Sequence, residues 1–147
     1  MHEAADAVAE LSRKQPDTVG AMLAIDAAIG ILVSAKERLA HDDFEEAFLE
    51  AKHAMRMASS ALLIRDGYLA ASLDATVIYL SDKYPGMVPV GEWHEIENRV
   101  TGEGPGLLNL VVRLMGKTRK VDEADARSAV MLAGRFIASV NRILEMR

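Results

Sequence analysis

The chain has 147 residues, half of them apolar, which suits one domain with a sizeable core. It contains no cysteine, which excludes disulfides, thiolate chemistry and cysteine-held zinc. A formal net charge of −5 argues against general electrostatic capture of nucleic acid, which needs several clustered cations. Few aromatics, abundant Ala, Leu and Met, and prolines confined to apparent connections point to an all-α fold.

In chain order, Ala5, Val8, Ala9 and Leu11 recur at helical spacing and predict a short first helix over residues 3–14. Residues 1–16 are read as a mobile N-terminal element, ended by Gln15, Pro16 and Asp17. No basic stretch followed by an apolar one opens the chain, and no segment reads as long enough to span a bilayer, so a cytoplasmic setting is expected. Val19, Met22, Ile25, Ala28, Ile29, Leu32, Val33 and Leu39 then mark one apolar stripe on a helix from Thr18 to Ala40. Gly20 and Gly30 each lower helix propensity by about 1 kcal/mol relative to Ala. A close helix crossing is the expected use of Gly30.

Residues 42–67 form the predicted spine of the fold. Asp42 or Asp43 can cap the first turn, Glu45 and Glu46 suit the positive end of the helix dipole, and Gly67 supplies a left-handed stop. Ala47, Ala51, Ala54, Met55, Ala58, Ala61 and Leu62 give it an apolar face of small side chains, and Glu50, Lys52, His53 and Arg56 lie opposite. The short connection before it implies an antiparallel hairpin with the preceding helix.

Leu69, Leu73, Val77 and Leu80 predict a third helix, ended by Pro85 and Gly86. A short helix is expected over 92–100, then a glycine-containing loop over 101–106. Leu107, Leu108, Leu110, Val111 and Leu114 predict a further helix stopped at Gly116. The last helix opens at Asp122 or Glu123, with Ala126, Ala129, Val130, Ala133, Ile137, Val140 and Leu144 on one face. No linker divides the chain, so residues 1–147 are read as a single domain.

Chemistry-bearing patterns are sparse. The histidines, His2, His41, His53 and His94, lack the paired spacing of a zinc site, and no metal is expected. Glu50 and His53 reproduce one Glu-x-x-His unit of a di-iron bundle, but such a site needs the unit twice, so a solvated face is the better reading. Gly116, Lys117 and Thr118 echo a phosphate-binding loop without its upstream glycine or preceding strand. No serine sits in a nucleophile elbow, so no catalytic residue is assigned. Trp93, near Val88 and Val90, reads as a core or interface anchor.

The spine, FEEAFLEAKHAMRMASSALLIRDGY, resembles the central helix of HEPN domains, and VDEADARSAVMLAGRFIASVNRIL resembles that family's last helix. The likeness covers roughly residues 21–144. It implies an up-and-down bundle of four or five main helices, often a homodimer, sometimes encoded beside a minimal nucleotidyltransferase in a toxin–antitoxin arrangement. Many members are metal-independent ribonucleases in which an Arg precedes a His by five to seven positions. No Arg here has a His at that distance, and His53 precedes Arg56 instead.

The expectation is therefore a non-enzymatic HEPN-like module, needing no cofactor, that pairs with itself through a small-residue helix face. It would bind a nucleotide, RNA or a nucleotidyltransferase partner, and no membrane. Lys52 and Arg56, one turn apart, are the candidate phosphate contacts, set against ion pairing with Glu46, Glu50 or a neighbouring helix. Two alternatives stand beside it. One is a divergent ribonuclease built from His53 with Arg135 or Arg142; the other is an unrelated helical-bundle adaptor.

Overall fold

The computed structural model describes residues 12–69, 72–98 and 121–146. They form β1 (Ser12–Arg13), α1 (Thr18–Ala40), α2 (Phe44–Asp66), β2 (Tyr68–Leu69), α3 (Leu73–Lys83), α4 (Val90–Glu97) and α5 (Glu123–Glu145). The fold is an all-α helical bundle, as composition predicts. The loop over 101–106, the helix expected before Gly116, the Gly116–Lys117–Thr118 match and residues 1–11 lie outside the described residues.

Local chemistry sets most of the boundaries. The Asp17 carboxylate caps α1 by accepting from the Gly20 N–H at 2.8 Å. Asp122 caps α5 in a reciprocal box with Asp125. Gly67, at φ 90°, closes α2 in the left-handed conformation. A Cβ there would sit 2.8 Å from the Lys14 carbonyl oxygen, so both backbone shape and space require glycine.

The start of α2 differs from expectation. Asp43 occupies the cap position without making a side-chain cap bond. Its carboxylate lies 3.6 Å from Arg38, and Asp42 takes a positive φ of 58°, so the tight turn uses both residues otherwise. The predicted first helix does not extend over Ser12 to Lys14. Ser12–Arg13 pair antiparallel with Tyr68–Leu69, and the Lys14 N–H donates to the Gly67 carbonyl at 2.8 Å. Backbone pairing across the end of α2 takes the place of helix in these three residues. α3 begins at Leu73 under the Ser72 cap, and α4 runs from Val90 to Glu97, a little before the predicted span.

α2 is the centre of the bundle. α1 packs along it antiparallel, and α5 packs against both. Ala47, Ala51, Ala54, Ala58 and Ala61 of α2 are fully buried, with Ala28 and Ala35 of α1 and Ala126, Ala129 and Ala133 of α5. Small side chains allow three backbones to approach closely, while Phe48, Met55, Leu62 and Phe136 fill the remaining space. The small-residue face of α2 is thus consumed inside the chain's own core and is not open to a second copy.

α1 departs most from its predicted single stripe. Ile25, Ala28 and Leu32 are buried, but Val19, Met22, Ile29 and Val33 lie on the outer side and are exposed. The helix is apolar nearly all round, so sequence spacing alone cannot say which half faces inward. By length and composition α1 is also apolar enough to cross a membrane, with mean hydropathy 1.9 over an 18-residue window, contrary to the expectation that no segment is. The close crossing expected at Gly30 is absent within the described residues, because a Cβ there would meet nothing within 4 Å.

At the far end of α2, Arg65 and Asp66 join three helices. Arg65 donates to the Ile143 carbonyl of α5 at 2.8 Å and to the Tyr84 hydroxyl at 2.9 Å. The Asp66 carboxylate accepts from the hydroxyls of Tyr79 at 2.9 Å and Tyr84 at 2.5 Å. The contact with Ile143 places the ends of α2 and α5 together, so these two helices run in the same direction.

Candidate functional site

The second half of α2 meets the start of α3 and Trp93 of α4 in a cleft of ≈ 330 Å³. Helical periodicity places Arg56, Ser59 and Ser60 on the cleft side of α2; α3 adds Ser72, Leu73 and Thr76, and α4 adds Trp93. Its volume is at the lower end for a small-molecule site.

The electrostatic centre of the cleft is a fork between helices. Arg56 Nε donates to Glu97 Oε1 at 2.9 Å and Arg56 Nη2 to Glu97 Oε2 at 2.5 Å. Trp93 Nε1 donates to Oε1 at 3.2 Å. The Glu97 side chain is 1% exposed, so its charge is held away from water by three donors, two of them cationic. The bond to Glu97 holds the Arg56 pKa above its ordinary value, more than burial lowers it. Trp93 is itself fixed edge-on to Phe136 of α5 at 5.3 Å between ring centres.

The hydroxyls around the cleft bond to nearby backbone. Ser59 and Ser60 donate to the Arg56 carbonyl at 2.7 and 3.0 Å, and Thr76 donates to the Ser72 carbonyl at 2.9 Å. The Ser72 oxygen accepts from the Ala75 N–H. Ser59 and Thr76 are buried, whereas Ser60 is half-buried at the cleft and its oxygen keeps acceptor lone pairs.

Lys52 and Arg56 do lie one turn apart on α2, but the structure gives them different neighbours. The Lys52 ammonium stands 5.5 Å from the centre of the Phe48 ring. Arg56 pairs with Glu97 rather than with Glu46 or Glu50. Glu50 instead accepts from Ser34 at 3.0 Å and lies 3.9 Å from Arg38, both on α1. His53 is exposed on α2, and no hydrogen bond or ion pair joins it to Arg135 or Arg142 among the described residues. Arg135 donates to Glu92 of α4 at 2.6 Å. Among the described residues no group of three or more His, Asp or Glu side chains could hold a metal ion.

Sequence reasoning did not anticipate Glu97, Ser72 or Thr76, all supplied by helices distant in sequence. It also left unconnected a second cleft, of ≈ 560 Å³, between the Pro85–Gly86 turn and α5, lined by Met87, Glu92, Arg135, Ser139 and Arg142. The seven-residue separation of Arg135 and Arg142, two helical turns, was the available signal. Compared with known proteins, the chain matches no family model, no curated protein and no solved structure.

Proposed function

We propose that this chain is a non-enzymatic, HEPN-like helical module that pairs with a second copy and binds a nucleotide at the cleft around Arg56. The supporting observation is the Arg56–Glu97–Trp93 arrangement. A buried carboxylate orients a guanidinium that remains half-exposed, in a cleft whose walls include serine and threonine side chains and an indole edge. Such a guanidinium keeps N–H groups for a phosphate oxygen, and its surroundings suit a ribose or base better than a bare anion. The net charge of −5 favours a small nucleotide over a long RNA. The HEPN resemblance adds RNA and a nucleotidyltransferase as further partners of the same module.

Trp93 is the only tryptophan in the chain, so its fluorescence reports on the cleft directly. Titration with AMP and ATP is expected to change Trp93 emission in a saturable way. The double variant Arg56→Gln/Glu97→Gln removes both charges without stranding one, and should abolish the change while remaining folded. No response to either nucleotide rejects the ligand assignment. Metal-free cleavage of single-stranded RNA that disappears in His53→Ala overturns the non-enzymatic reading.

A further inference from the structure

We propose that the outer face of α1 is the docking surface for a second copy of this chain, packed as an antiparallel helix pair about a two-fold axis near Asp26 and Ala27. The proposal rests on the self-pairing part of the function above and names its surface.

Helical geometry divides α1 into two halves. Ala21, Ala24, Ile25, Ala28, Leu32 and Ala35 are buried against the bundle. On the opposite side, Val19, Met22, Leu23, Ile29 and Val33 are 42–71% exposed. Asp26 is the single charged residue from Val19 to Val33. Lys36 and Glu37 bound the face at its C-terminal end, so the face is apolar apart from Asp26 and has a polar edge at that end.

Gly30 supplies a second observation. It lies in the middle of a long helix, where glycine is unfavourable, and among the described residues no neighbour fills the space its side chain would take. An antiparallel crossing centred between residues 26 and 27 sets Gly30 of one copy opposite Leu23 of the other. The absent side chain makes room for the large one, and two-fold symmetry forms the contact twice.

Size and charge favour a second copy as the occupant. From Val19 to Val33 the face runs about 21 Å at 1.5 Å per residue. Its five large side chains leave on the order of 400 Å² of apolar surface open, the scale at which a patch on a monomer marks a partner. Two such faces in contact, with their polar rims, reach the lower limit of a specific interface, which fits a weak, reversible dimer. Lys36 and Arg38 flank the face at one end, as a lipid surface would want, but Asp26 sits in its middle and the chain is acidic, which favours a second copy.

Sedimentation of the full chain from the low micromolar to several hundred micromolar tests this. A reversible monomer–dimer equilibrium is expected. Leu23→Glu should weaken it about tenfold or more by replacing an apolar contact with a second charge close to Asp26. Gly30→Leu should weaken it comparably while leaving the thermal midpoint of the monomer at or above wild type. Asp26→Asn should tighten it, because two like charges near the axis are removed. A wild type that stays monomeric overturns this proposal and self-pairing together. A dimer untouched by both Leu23→Glu and Gly30→Leu overturns this surface alone and leaves self-pairing to another. Monomers that instead sediment with anionic vesicles, and lose this in Leu23→Glu, overturn it in favour of lipid.

Discussion

Arg56 and Glu97 are 41 residues apart in the chain, yet the guanidinium of one grips the carboxylate of the other through two bonds and thereby ties α4 to α2. The two ends of this pair are unequal, since the Glu97 side chain is 1% exposed and that of Arg56 is 56% exposed. Removing the arginine strands a buried charge; removing the glutamate frees an arginine that water can solvate. Arg56→Ala is therefore expected to cost about 2 kcal/mol, below the usual range for broken buried pairs because Arg56 is partly solvated, and Glu97→Gln about half as much. Urea unfolding of the two variants measures the difference, and equal losses would contradict the asymmetry.

The tyrosines bound to Asp66 make stability depend on alkaline pH. Burial first, and the bond to Asp66 second, push the Tyr84 hydroxyl up to about 12, and the same two causes raise Tyr79. A phenol with a higher pKa folded than unfolded contributes its full stability below its unfolded value near 10, and loses it as pH rises through the folded value. For Tyr84 that loss is on the order of 2 kcal/mol. Tyr84→Phe should be less stable than wild type at pH 8, and the gap should narrow by pH 11. Parallel decline of the two proteins across that range would count against the assignment.

Two glycines should respond in opposite directions. Gly67→Ala forces a side chain into a left-handed backbone and against the Lys14 carbonyl, and is expected to destabilise by about 1–2 kcal/mol. Gly30→Ala meets open space in a helix and should stabilise the monomer by up to about 1 kcal/mol. Thermal melts at low protein concentration, where self-association is minimal, give both signs.

The caps of α5 and α2 provide a further contrast. Asp122 accepts from the Asp125 N–H at 2.8 Å, so Asp122→Ala should cost about 1 kcal/mol. Asp43 makes no such bond, and Asp43→Ala should cost only a few tenths. Chemical denaturation of both variants checks the ranking; a larger loss at Asp43 would show that its ion pair with Arg38 matters more than its exposure suggests.

Sequence spacing was a good guide wherever one helix decides its own boundary. Asp122 at a helix start and Gly67 at a stop act through atoms three or four residues away, and such signals read directly, whereas the cap that Asp17 gives α1 came only with the structure. Burial was legible for α2 and α5, whose polar faces are distinct. It failed for α1, where Val19, Met22, Ile29 and Val33 are as apolar as Ile25 and Leu32, and only the neighbours choose between the two sides. The cleft was half legible. Arg56 stood out as a cation on a polar face, but its partner Glu97 could not, because a contact across 41 residues depends on how α4 lies over α2. The Ser12–Arg13 ladder was hidden for the same reason: its partner is the chain leaving α2.

The central place of α2 has a consequence for how the molecule opens. α1 and α5 both pack on α2, and α4 is tied to it through Arg56 and Glu97, so the buried face of its middle cannot reach solvent until its partners have moved aside. Hydrogen exchange should accordingly be slowest around Ala51, Ala54 and Ala58, at rates set by global unfolding. The shorter α3 and α4 should exchange through smaller openings that leave the three long helices together.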